Sequence, residues 1–341
     1  MTAIGYGGEI ESVEGAKMKS LPSLLLVVAS FLFAQSGLSH AQNYPNRSIQ
    51  LVVTVPPGGA ADFVARLIGA KLGEALGQSV VISNRAGAGG TTAAAQVAKS
   101  DPDGYTLLLN TIATHGIGPH IYANLPYDPV KDFSPVILIA KLPLIMAVNA
   151  DVPARSVNDV IALAKAKPNE LTFCSAGSGG APHLAGELFK SLTGTALLHV
   201  PYRGSGPAVI DLIAGRITMM FDATPSLLPN ILAGKLRPLA AASPQRHRLL
   251  PDVPSFAELG YPGMDIALWY GVVVPGGTPA PIVQRLNAAL AKILEMPDVQ
   301  KSLTDQGADV QSGTAEDFGS FMRNESARWS TVVKQAGIKP E

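Results

Sequence analysis

The sequence predicts an α/β protein of two lobes, each a mostly parallel sheet flanked by helices, joined by a two-strand hinge. Three observations predict it. Strand-like and helix-like segments alternate along most of the 341 residues, the pattern of parallel βα units. The alternation comes in two series, each followed by a long apolar extended run, 134–149 and then 266–274. Strand after strand ends in a loop of small residues that leads straight into a helix.

In the first series, IQLVVTV (49–55) reads as a strand because aliphatic and β-branched residues fill it. Pro56 and Pro57 end it, since proline donates no ladder hydrogen bond. Gly58 and Gly59 let the backbone turn sharply without a side chain above it. A helix follows over 60–77, with Phe63, Val64, Leu67, Ile68, Leu72, Ala75 and Leu76 on one stripe. SVVIS (79–83) is the next strand, Asn84 to Gly90 a loop, and 91–99 a helix. YTLLLN (105–110) is a third strand, followed by a mixed loop and short helix to 123 and a proline-broken connector, LPYDPVKDF. The run SPVILIAKLPLIMAVN (134–149) is extended, with an interruption expected at Pro143.

The second series opens with a helix over 156–167, closed by Lys165, Lys167 and then Pro168. Strands follow at 171–174, 196–200, 217–222 and 236–242, separated by helices at 181–193, 207–214 and 226–233. IALWYGVVV (266–274) is the second extended run, and helices near 280–294, 297–306 and 315–335 end the chain. The first run carries the chain out of one lobe and the second brings it back. The expected divisions are therefore 42–140 for the first part of lobe 1, 141–267 for lobe 2, and 268–341 for a return strand and helices mostly of lobe 1.

Ahead of these lies an export signal. From Met18, MKSLPSLLLVVASFLFAQSGLSHAQ supplies a positive Lys19, an apolar run from Leu21 to Ala34, and the small-x-small site Ser39-His40-Ala41. Glu9, Glu11 and Glu14 are wrong for a signal's leading region, so translation is expected to start at Met18 and the mature chain at Gln42. The apolar run is too short for a membrane span, and the expectation is an exported, soluble product. Lys+Arg and Asp+Glu both number 26, so no basic surface points to nucleic acid. Cys174 stands alone, which rules out an internal disulfide.

Five loops carry the chemistry: PPGGA (56–60), NRAGAGG (84–90), CSAGSGG (174–180), PYRGSG (201–206) and DATPS (222–226). In open α/β sheets ligands sit beyond the carboxyl ends of the strands. Helix starts there present bare N–H groups and a positive dipole end, which suits an anion. No G-x-S-x-G, Walker A or complete dinucleotide fingerprint is present. The six histidines lack H-x-x-x-H spacing, so neither a metal nor a cofactor is expected. His183, at a helix start, reads either as a ligand donor or as an ordinary polar residue. Asp62 reads as a site group or as compensation of a helix dipole, and Asp222 as a cleft residue or as a helix N-terminal contact. Tyr202 and Arg203 follow a strand end, where Arg203 either pairs a carboxylate or is simply solvated. Cys174 reads as a small buried strand residue.

With these loops in this order, residues 44–341 resemble the Bug receptors, the solute-binding proteins of tripartite tricarboxylate transporters. The matching stretches include VPPGGAADFVARLI (55–68), VVISNRAGAGGTTAAAQVAKSDPDGYTLL (80–108), FCSAGSGGAPHLAGELFK (173–190), HVPYRGSGPAVIDLIAGRI (199–217) and MFDATPSLLPNILAGKLRPLA (220–240). The resemblance implies a type II periplasmic-binding-protein fold that closes on a small carboxylate: an organic acid, an acidic amino acid or an aromatic acid. It implies a periplasmic monomer that is not an enzyme and that delivers its ligand to membrane transporter subunits. The implied ligand-binding set is Pro57, Gly58, Gly59 and Asp62, Ala88, Gly89 and Gly90, and Thr111 from the first lobe. The second lobe adds Ser175, Ala176, Gly177, Ser178, His183, Tyr202, Gly204 and Asp222. Gly204-Ser205-Gly206 departs from the commoner glycine-rich pair at that place. A ligand-sensing subunit for a membrane kinase and a secreted enzyme on the same scaffold remain alternatives.

Overall fold

The computed structural model describes residues 1–5, 7–8, 44–335 and 337–338. The expected leader, with Met18, Lys19, Leu21–Ala34, Ser39-His40-Ala41 and Gln42, lies outside the described residues. Met1–Tyr44 and Pro45–Glu341 are separate units. In the first, residues 1–5 and 7–8 are exposed and carry no regular secondary structure. Everything below concerns the second.

Its chain begins with β1 (Ile49–Val53), α1 (Ala60–Leu76), β2 (Val80–Asn84), α2 (Thr91–Ala98) and β3 (Thr106–Thr111). A wide helical turn over Ile112–Ile117 leads into the short α3 (Gly118–Ile121) and then β4 (Phe133–Asn149). Lobe 2 contributes α4 (Val157–Ala166), β5 (Thr172–Ser175), α5 (Ala181–Thr193), β6 (Leu198–Pro201), α6 (Ser205–Ile213), β7 (Met219–Ala223), α7 (Thr224–Leu232) and β8 (Leu236–Ala242). The chain returns through β9 (Ala267–Pro275) and finishes with α8 (Ala280–Leu294), α9 (Pro297–Asp305), β10 (Asp309–Val310) and α10 (Ala315–Gln335).

β4 is where the two sheets meet. Its first part, to Pro143, pairs antiparallel with β9, and from Leu144 onward it pairs antiparallel with β7 and β8. The interruption expected at Pro143 is instead the handover between sheets. Pro143 faces Ala267 as the last pair of the first sheet, and a proline is tolerated where a ladder ends. The second crossing runs beside it, where Leu144 N–H donates to Ile266 O (3.0 Å) and Ile266 N–H to Ala242 O (2.9 Å).

These pairings fix direction. β1, β2 and β3 are mutually parallel, and β9 is antiparallel to both β3 and β4, so β4 runs the same way as β1–β3. β7 is antiparallel to β4, and β5 and β6 run with β7. Because β4 passes from the first sheet into the second, the carboxyl ends of β1–β3 point at lobe 2. Those of β5–β7 point back at lobe 1. The strand order β2-β1-β3-β9-β4-β7-β5-β6 puts the hinge strands in the middle and β2 and β6 at the far edges.

Helix α1 differs from the stripe read in its sequence. Its buried face is Ala61, Val64, Ala65, Ile68, Gly69 and Leu72, while Phe63 and Leu67 are half-buried and Ala75 is exposed. Small residues mark the contact because the helix lies close on β2: a β-carbon at Gly69 would come within 2.8 Å of Ile82. In lobe 2, Ile145, Cys174, Leu212, Met220 and Leu227 form one core under α6 and α7. Phe189, Phe221 and Phe256 pack together on the opposite face. Helix α10 lies along β4 and the 112–117 turn. There Trp269 and Trp329 both donate their indole N–H to Glu325 Oε2, each at 3.1 Å. Among the described residues no helix is long and apolar enough to cross a membrane.

His115, in the turn after β3, is buried with its ring edge on Phe133, centroids 4.7 Å apart. Burial pushes its pKa down from 6.5 to about 3. The unfolded chain therefore takes up a proton near pH 6.5 that the folded chain refuses until about 3. Stability is complete above that window and falls as the pH drops through it, by at most about 1.4 kcal/mol per pH unit for one such group. Burial moves His120, His199 and His247 in the same direction. In urea titrations between pH 6 and 4, His115→Leu is expected to lose stability more shallowly than the wild type, by about that slope. Equal slopes would contradict the assignment.

Candidate functional site

The width of the cleft follows from the register on β4. Thr111, the end of β3, pairs with Tyr270, which pairs with Ala140. Ala223, the end of β7, pairs with Leu144. Four residues of β4 thus separate the two facing sets of strand ends, roughly 13 Å at ~3.3 Å per residue. All five loops singled out in the sequence open onto this gap.

On lobe 1, Pro56, Pro57, Gly58 and Gly59 are exposed. Gly58 adopts φ +95°, where glycine is favoured. Asp62, one turn into α1, is buried and braces the loop from behind. Its Oδ2 accepts from Gly58 N–H (3.0 Å) and Arg66 Nε (2.9 Å), and its Oδ1 from Asn84 Nδ2 (2.9 Å). The Arg66 guanidinium holds the Asp62 carboxyl down at about 2, against the opposing effect of burial. Asn84 also donates to Val55 O (3.1 Å), so one polar cluster ties loop 56–60 to loop 84–90. Gly58 N–H is turned inward to Asp62. The donors this leaves toward the cleft are Gly59 and the first turn of α1, whose N–H groups have no partner within a helix.

The second loop has four consecutive residues in the left-handed half of φ: Gly87 (+145°), Ala88 (+45°), Gly89 (+63°) and Gly90 (+91°). Such a run curls the backbone into a concave rim at the start of α2. Tyr122 covers Gly89 so closely that a β-carbon there would lie 2.5 Å from its hydroxyl. Thr111 is buried, and its N–H donates to Thr114 Oγ1 (3.2 Å).

On lobe 2 the predicted side chains are mostly engaged in holding loops. Ser175 is fully buried, its Oγ 2.8 Å from Gly177 O and 2.7 Å from His199 Nε2. His183 accepts from Gly179 N–H through Nδ1 (3.1 Å) and stacks on His199, centroids 3.9 Å apart. Ala176 O accepts from Gly204 N–H (3.1 Å), Gly204 has φ +109°, and Ser178 is exposed. Tyr202 donates its hydroxyl to Asp211 (2.7 Å). Burial, then that carboxylate, pushes its pKa up to about 12. Asp222 is buried at the end of β7. Its Oδ1 accepts from Ala223 N–H (2.8 Å), while Oδ2 has no hydrogen-bond partner among the described residues. Burial raises its pKa, and the Ala223 N–H acts against that rise.

Several participants are invisible in the sequence. His199 lies mid-strand and Asn84 ends a strand; only the fold brings them to the loops. Ile121 crosses from lobe 1 to touch loop 174–180, where a β-carbon at Gly179 would collide with its Cδ1. Among the described residues no group of three or more His, Cys, Asp or Glu converges as a metal site. A hollow of about 540 Å³ lined by Arg47, Gln50, Lys99 and Thr106 lies at the opposite, amino ends of β1 and β3. Its Arg47 is paired with Asp103 (2.7 Å) and lies over Tyr105.

The sequence profile of the tripartite tricarboxylate transporter family receptors matches residues 64–338. Rpa4515 of Rhodopseudomonas palustris, solved with adipate, is 41% identical, with a TM-score of 0.82 over 87% of this chain and all of its own. MatC of the same organism, solved with bound malate, is 35% identical, with a TM-score of 0.78 over 85% of this chain and all of its own. The periplasmic binding protein BugD is 32% identical, with a TM-score of 0.79 over 87% of this chain and all of its own.

The Ile121–Gly179 contact yields a prediction about stability. Gly179→Ala strains a φ of +74°, at a cost of about 1–3 kcal/mol, whereas the atom its β-carbon meets is the movable Cδ1 end of Ile121. In urea unfolding, Ile121→Ala in the same background is therefore expected to recover little of that loss. Full recovery would mean that the contact, not the backbone, carries the cost.

Proposed function

The chain belongs to the tripartite tricarboxylate transporter receptor family, and on that premise we propose that it captures a small carboxylate, with dicarboxylates foremost, in the cleft between its lobes. It acts after export and removal of its leader, in the periplasm, and hands the ligand to membrane transporter subunits. The observation that carries this reading is the pair of facing strand-end sets about 13 Å apart, whose loops offer backbone N–H groups rather than a fixed cation. Adipate and malate, the ligands of two relatives, are both dicarboxylates. Uncharged donors hold an anion without a permanent salt bridge, which keeps release to a transporter accessible.

Within this reading the ligand-facing groups are Gly59 and the start of α1, the rim Ala88–Gly90, and the loops holding Gly177, Ser178 and Gly204. Asp62, Ser175, His183 and Tyr202 position those loops. Asp222 stands behind the lobe 2 loops between two helix starts. The Ser175–His199 pair has the spacing of a nucleophile and base, yet Ser175 is fully buried beneath its loop, which favours a binding role over a catalytic one.

Gly59 supplies the test. Its φ of −89° admits any residue, and a β-carbon there would meet nothing within 4 Å. Gly59→Ala is therefore expected to keep the melting temperature of the free protein within about 1 °C. For whichever straight-chain dicarboxylate binds the wild type best, it should raise Kd tenfold or more. A saturating acid, at about 100 times Kd, should add roughly 2.7 kcal/mol to the wild type. If the corresponding diamides stabilise the wild type as well as the diacids do, the anion reading is wrong. If Gly59→Ala binds the best acid unchanged, loop 56–60 is only a turn.

A further inference from the structure

The structure places one exposed arginine in an equivalent position on each lobe, and resting on the carboxylate reading above, we propose that Arg85 and Arg203 form a cationic mouth that steers dianionic ligands into the cleft. Arg85 follows β2 and Arg203 follows β6, the two outermost strands of the path. Each lies three strands from the hinge, roughly 14 Å at ~4.8 Å per strand. Both strands end toward the gap, so the two residues stand at its rim on opposite sides, far from β4 and β9.

Their backbones are fixed and their charges are not neutralised. Arg85 N–H donates to Val53 O (2.8 Å). Arg203 is framed by Tyr202 N–H on Ser175 O (3.0 Å) and Gly204 N–H on Ala176 O (3.1 Å). The Arg85 guanidinium has only Ser83 Oγ at 3.3 Å, and Arg203 makes no ion pair or hydrogen bond through its side chain among the described residues. The neighbouring cations differ: Arg66 is held by Asp62 and Arg216 by Asp211. Those pairs cancel locally, and Asp222 is buried between helix starts. Arg85 and Arg203 are thus the unneutralised cations at the two outer strand ends, while Lys141, Asp265, Glu325 and Arg328 group at the hinge.

Exposed charges at a rim act chiefly on the encounter rate and its salt dependence. The work done by the field is proportional to ligand charge, so the acceleration of a dianion is the square of that of a monoanion. At physiological salt the screening length is about 8 Å, and the effect is greatest below that ionic strength. The fixed loops deeper in the cleft, not the arginines, retain the ligand once it has arrived.

The test is stopped-flow association at ionic strengths from about 0.01 to 0.3 M, a range over which the screening length falls from ~30 Å to under 8 Å. The probes are the straight-chain dicarboxylates from malonate to adipate and their monomethyl esters. The signal is the fluorescence of Trp269 and Trp329, which share Glu325 at the hinge, with Kd measured in parallel by calorimetry. Arg85→Gln with Arg203→Gln is expected to slow diacid association about three- to tenfold at low salt. It should flatten the salt dependence, slow the monoesters less, and leave dissociation nearly unchanged. Lys99→Gln removes an equal charge at the far end of lobe 1 and should change none of these. Wild-type rates and salt slope in the double variant, or an equal loss in Lys99→Gln, would overturn the proposal. Failure of every acid to bind the wild type would overturn the carboxylate reading together with it.

Discussion

A single strand shared by two sheets governs this structure. β4 carries seventeen residues, and its change of partners at Pro143–Leu144 decides where one sheet stops and the other starts. Every parallel strand is oriented by pairing, through at most two intervening strands, with β4 or with β9 beside it. The facing of the two sets of strand ends, and the gap between them, are consequences of register rather than of loop conformation. A slip of one residue on β4 would move each side chain to the other face. The burial of almost every residue from Val136 to Asn149 disfavours that slip.

Given the gap, the loops divide their labour. Glycines and small residues form the surface toward the cleft, and polar side chains stand behind it. Asp62 joins Gly58, Arg66 and Asn84; His183 holds Gly179; Ser175 and His199 hold the base of the same loop. A buried polar group is stable only when its partners are present, so these clusters fix the loops in one arrangement. On the proposed reading the donors toward the ligand are preorganised, and less ordering is required on binding. Arg85 and Arg203 stand outside that scheme at the rim, where charge influences arrival more than retention.

Much of the fold was legible in the sequence. The aliphatic runs gave the strands, and the endings PPGG, NRAGAGG, CSAGSGG and PYRGSG marked the loops at the facing strand ends because few other sequences turn so tightly into a helix. Less legible were features decided by packing. Pro143 looked like a break because sequence alone does not reveal that the strand changes partners there. The buried face of α1 was misplaced because large side chains were counted, whereas close approach to β2 selected Ala61, Ala65 and Gly69. α6 and α7 begin two residues earlier than expected, since Pro207 and Pro225 sit comfortably in a first turn. Asp62 could be placed in a first turn but not assigned its partners, because Asn84 comes from another strand. Ile121, which reaches the other lobe, had no local signal at all.

On the proposed reading, an anion sits between the two facing sets of backbone donors. The direct measurement is a backbone amide NMR titration of the whole protein with the best-binding dicarboxylate. Saturable shifts are expected at Gly59, Ala60, Ala88, Gly89, Gly177 and Ser178, from both lobes and with one common Kd. Shifts confined to one lobe, or centred on Gln50, Lys99 and Thr106 at the opposite strand ends, would contradict it.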